Sequence, residues 1–131
     1  MVSLLEFLAD NPIDDLTDEI VISQRLRDFK FTIKAMTGQE FDKYSKACRK
    51  IGKKGKVDFD SARFNMMVIL NHTVEPDFRN VKALDKAKCQ TPEDFINKTL
   101  MAGEIAELAQ AISRLSGFDQ DISGLADEVK N

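Results

Sequence analysis

The run Met66–Leu70, "MMVIL", is the most apolar stretch of the chain and sits inside "SARFNMMVILNHTV". So little polar face predicts the most buried helix of the fold, with other elements packed around it. An apolar run this short also suits a buried strand. Asp60, placed to cap, and the flanking length favour a helix. The 131 residues fit one domain, 1–131. A domain of that size buries roughly two-thirds of its unfolded surface, enough for a core without staples. With 43% hydrophobic and 31% charged residues, a mainly disordered chain is excluded.

The elements around that helix are amphipathic. "FKFTIKAM" alternates Phe29, Phe31, Ile33 and Ala35 with Lys30, Thr32, Lys34 and Met36. Period two puts one face in a core and one in water. With "EIVISQ" and the short "RLRD" between them, it reads as an antiparallel hairpin over about 18–36. Residues 1–17 form a short acidic leader. Within it, Ser3 and Glu6 make a capping-box pattern before the greasy helix Leu4, Leu5, Phe7 and Leu8. "DNP" stops that helix, and "IDDLTDE" reads as a loop.

Thr37 and Glu40 form a second capping box. Phe41, Tyr44, Cys48 and Ile51 then follow at helical spacing, and "GKKGK" reads as a mobile basic loop. "VKALDKAKC" is weakly helical. Thr91, Pro92 and the acids after them start another helix, which Gly103 bends or ends near Met101. Ile105, Leu108, Ile112 and Leu115 form a clean helical stripe, stopped by Gly117. Asp121 can cap a last short helix. The expected fold is α+β and mainly α-helical: one domain of about five to six helices with a small antiparallel β-hairpin near the N-terminus.

Charge is unevenly spread. Residues 1–24 carry six acids and no Lys or Arg, and residues 25–56 carry eleven Lys or Arg against three acids. The basic middle meets the acidic ends, a neighbouring copy or an acidic partner. Its Phe29, Phe31, Phe41 and Tyr44 mostly fall at core positions, which leaves few rings for base stacking. With a net charge of −3, nucleic-acid binding through 25–56 is the weaker alternative. Cys48 and Cys89 form no CxxC pair, which suits a reducing cytoplasm. The N-terminus lacks a basic n-region, and no run of about 18 apolar residues exists to span a membrane.

Chemistry is sparse. His72 is the single histidine, with Glu75 and Asp77 close behind it in "HTVEPDFRN". A nucleophile needs a base in reach, and no GxSxG elbow or P-loop is present. A pair between His72 and Cys48 or Cys89 is the remaining catalytic option. Ligands for zinc or calcium are too few, so no metal and no cofactor are expected. His72 reads as the end of the apolar helix, Pro76 as a bar to its continuation, and Phe78 as an anchor into the core.

The order of motifs resembles the phage tail assembly chaperone family, in its XkdN-like group from tailed phages and prophages of Gram-positive bacteria. The pieces that carry the resemblance are Val74-Glu75-Pro76-Asp77-Phe78, Leu100 with Gly103-Glu104, Leu108 with Ile112, and Gly117-Phe118-Asp119. It spans nearly the whole chain and contains no catalytic motif. It implies a non-enzymatic assembly factor that coats the tape measure protein, keeps it in solution and presents it to tail tube subunits. Such a factor works in the host cytoplasm and is absent from the finished virion. Self-association suits a protein that coats in many copies. Two apolar surfaces are candidates for the partner: Leu4, Leu5, Phe7 and Leu8 in the leader, and Ile105, Leu108, Ile112 and Leu115 in the stripe.

Overall fold

Five of the six α-helices among the described residues begin where a side chain satisfies one of their first free N–H groups. In the computed structural model, which describes residues 3–118, Ser3 Oγ accepts from the Glu6 N–H and opens α1, Leu4–Asp10. Thr37 and Glu40 form the full reciprocal box at α2, Gly38–Ala47. Asp60 accepts from the Arg63 N–H at α3, Ser61–His72. Asn80 caps α4, Val81–Lys86, and Thr91 caps α5, Pro92–Thr99. The last described helix, α6, is Ala102–Leu115. Gly117 ends it at φ +98, a left-handed conformation that glycine adopts without a Cβ penalty. There the Phe118 N–H bonds to the Ser113 carbonyl and the Gly117 N–H to that of Arg114, which satisfies two free carbonyls. The helix expected after Asp121 lies outside the described residues.

The apolar run lies at the centre, as its composition requires. Val68, Ile69 and Leu70 of α3 are buried, and α3 packs against α6, α2 and α5. On another side lies a three-stranded antiparallel sheet in the order β1-β2-β5. Strand β1 is Thr17–Ile20 and β2 is Phe31–Lys34, paired from Thr17 with Lys34 to Ile20 with Phe31. Strand β5, Thr73–Glu75, leaves the end of α3 directly and pairs with β2. Phe31, Ile33 and Ala35 are buried, so the alternation reads correctly.

The hairpin departs from expectation at its ends. Its first strand starts earlier and stops at Ile20, and residues 21–30 form a longer connection than "RLRD" suggests. Phe29 belongs to that connection and is 65% exposed. The third strand was not expected, because three residues are too few to show a period. The predicted stripe through Ile51 is also broken. Tyr44 and Cys48 are buried, but the helix stops at Ala47 and Ile51 lies in β3, Arg49–Ile51. The basic "loop" is the turn of a second hairpin, joining β3 to β4, Val57–Phe59. Gly103 neither bends nor ends α5. It sits in the first turn of α6, where Met101 is the N-cap.

Candidate partner-binding surface

The two apolar surfaces named from sequence have opposite fates. In α6, Leu108 and Ile112 are fully buried, and Ile105 and Leu115 are packed against the same core. That stripe closes the domain on α3 and is not a free face. In α1 no residue is buried. Leu4, Leu5, Phe7 and Leu8 are between 54% and 78% exposed. At 100° per residue they occupy one side of the helix, so α1 presents a continuous apolar strip to solvent. Ile13 and Leu16, just beyond it, are exposed as well. A strip of this kind marks an interaction surface more often than a resting state.

A second apolar surface was not legible beforehand. Leu26, Phe29, Phe31, Phe78, Phe95 and Leu100 line a groove of about 440 Å³. Phe78 anchors as expected, while Phe29 stands at the mouth instead of in the core. The alternating pattern placed Phe29 on the correct face; what it could not show was that the strand begins only at Phe31.

Two buried polar groups organise the domain. Glu104 is buried at the start of α6, and its carboxylate accepts from four donors. Arg25 Nη2 reaches Oε1 at 2.5 Å and Arg25 Nε reaches Oε2 at 3.1 Å. Ser23 Oγ donates to Oε2 at 2.5 Å, and the Met101 N–H donates to Oε1 at 2.7 Å. Arg25 also donates to the Thr99 carbonyl. The Arg25 and Ser23 hydrogen bonds outweigh desolvation and hold the Glu104 carboxyl at about 2. The clasp ties the β1–β2 connection to the α5–α6 junction, which explains why "EIVISQ" does not run on as a strand.

His72 is the other buried group. It ends α3 with no exposure, and its Nε2 lies 2.9 Å from the Tyr44 hydroxyl. The carboxylate brought to it is Glu40, at 3.9 Å, and not Glu75 or Asp77. Burial pushes His72 below its ordinary value; Glu40 pulls it up and Lys34 pushes it down. The unfolded chain therefore binds the proton better, so this part of the stability is complete above about pH 6.5 and is lost as pH falls below it. Urea midpoints should drop between about pH 7.5 and about pH 5.5, and His72→Gln should flatten that drop. An equal drop in the variant would show that His72 is not its source. Neither cysteine pairs with His72 as a base: Cys48 is buried with its Sγ 3.7 Å from Met67 Sδ, and Cys89 Sγ donates to the Ala87 carbonyl.

The basic middle is partly neutralised within the fold. Arg25 meets Glu104, Lys30 meets Glu19, Lys46 meets Asp42, and Lys50 meets Asp60. Among the described residues, no helix is long and apolar enough to cross a membrane, and no cluster of His, Cys, Asp and Glu could hold a metal ion.

The fold recurs in a known protein. The chain is 27% identical over 135 residues to the phage-like element PBSX protein XkdN of Bacillus subtilis (strain 168), covering 95% of this chain and 91% of that one. It is equally similar to an uncharacterised protein of the same organism, YqbN, over the same shares of the two chains. A crystal structure of a YqbN protein matches with a TM-score of 0.67 and 25% sequence identity, over 91% of this chain and 99% of that chain. The model of the phage XkdN-like tail assembly chaperone proteins matches residues 4–130, which takes in α1, the Glu75-Pro76 end of β5 and the Glu104 clasp. The chain thus belongs to the phage XkdN-like tail assembly chaperone family.

Proposed function

We propose that this protein binds the tape measure protein of its phage, keeps it in solution and helps recruit tail tube subunits, and that α1 is the capturing element. It acts without catalysis in the cytoplasm of the bacterial host and does not remain in the virion. A tape measure protein is long and helical, so its bare apolar stripes aggregate. A helix that offers Leu4, Leu5, Phe7 and Leu8 to solvent can cover such a stripe, helix against helix. The observation that carries the reading is the contrast between the two candidate surfaces: α6 spends its stripe on the core, while α1 leaves its strip uncovered.

Leu5→Asp with Leu8→Asp tests it. Burying two leucines in an interface contributes roughly 3–6 kcal/mol, so their loss should weaken capture by a hundredfold or more. The measurement is the soluble yield of a co-expressed tape measure fragment that co-purifies with the chaperone. Circular dichroism and melting should be unchanged, because neither side chain contributes to the core. Undiminished capture, or a variant that unfolds, would remove α1 from this role.

A further inference from the structure

The β3–β4 hairpin has an uncovered apolar face of its own. Ile51 pairs with Val57 and Arg49 with Phe59, so these four side chains share one side. Ile51 is 84% exposed and Val57 is exposed too, while Phe59 rests one side of its ring on Phe64 and leaves about half its surface open. Around that face stand Arg49, Lys53, Lys54 and Lys56, none of them in an ion pair among the described residues. The N-terminal arm shows the opposite combination. Asp14 and Asp15 follow its apolar strip, Glu6 and Asp10 lie on the far side of α1, and none of the four has an ion-pair partner among the described residues.

We infer that the apolar face of the β3–β4 hairpin is the seat of the N-terminal arm of a second copy of this chain. Apolar strip meets apolar face, and an arm of net negative charge meets a hairpin of net positive charge, which selects this pairing over arm against arm or hairpin against hairpin. Arm-to-hairpin contact uses two different surfaces, so it is heterologous: a pair leaves one arm free on one copy and one hairpin free on the other, and the association is open-ended. The proposal shares α1 with the capture reading above. Neighbouring copies would cover each other's strip until a tape measure helix displaces it, so the two occupants of α1 exclude each other.

The test uses the full chain in sedimentation velocity over a range of concentrations and salt. Wild type should associate progressively. Its association should weaken at least about tenfold between roughly 0.05 and 0.5 M salt, as screening shortens the reach of the exposed charges. Ile51→Ser with Val57→Ser, whose side chains lie outside the core, should be monomeric, as should Leu5→Asp with Leu8→Asp. Mixed, the two variants should form a one-to-one dimer and nothing larger, because only one intact arm and one intact hairpin remain. A monomeric wild type, a hairpin variant that still associates, or a mixture that stays monomeric would each overturn the pairing. The hairpin variant should still capture a tape measure fragment, which separates failure of this inference from failure of the capture reading.

Discussion

Leu108→Asp is expected to leave no folded domain, and Leu108→Ala to lower the unfolding free energy by about 3 kcal/mol. The side chain is fully buried between α6 and α3, in the same core as Ile69 and Ile112. Alanine leaves a cavity that the surrounding helices fill only in part. A carboxyl group there lies among apolar side chains, and burying it without a partner, charged or neutral, costs a large share of the roughly 5–15 kcal/mol that holds a domain together. Urea unfolding reads the alanine variant, and loss of the cooperative transition reads the aspartate. The same change at Leu5, more than three-quarters exposed, should leave the transition in place. A folded Leu108→Asp protein would mean that α6 can leave the core, and that its stripe is available to a partner after all.

Glu104→Ala should produce the second large effect, a fall in melting temperature on the order of 5 °C or more. Its loss strips Ser23, Arg25 and the Met101 N–H of their shared acceptor, and with it the link between the β1–β2 connection and the start of α6. Arg25 is partly exposed and can rehydrate, so the penalty falls on the inner donors. The pH profile gives an independent check. The folded carboxyl sits at about 2, held below its ordinary value mainly by the Arg25 hydrogen bond. Stability from this group is therefore complete above about pH 4.5 and is lost as pH falls toward 2. Wild type should lose stability through that window and Glu104→Ala should lose less. Identical slopes would place the acid sensitivity elsewhere. The His72 effect begins higher, near pH 6.5, so the two groups can be told apart in one titration.

Much of this architecture is legible from local chemistry. Ser3, Thr37, Asp60 and Thr91 each announce a helix because a short polar side chain satisfies N–H groups within a few residues of it. Pro76 and Gly117 announce stops for equally local reasons. The stripe of α6 shows that it has an apolar face. It does not show what the face meets, and here the partner is α3 of the same chain. Phe29 and Ile51 sit on well-formed patterns yet face solvent, because the strand begins after one and the helix ends before the other. Glu104 was visible as part of a family pattern, but nothing around it in sequence indicates that Ser23 and Arg25, some eighty positions away, close on it.

The sequence by itself determined most helix starts, the buried centre at α3 and the family to which the chain belongs. Caps, stops and periodicity act over a few residues, where chain connectivity brings the groups together unaided. Only the tertiary structure decided which apolar strip is left over. Burial is a competition among all faces for one core, and α6, β2 and α3 fill it; α1 and the β3–β4 hairpin remain outside with their apolar side chains uncovered.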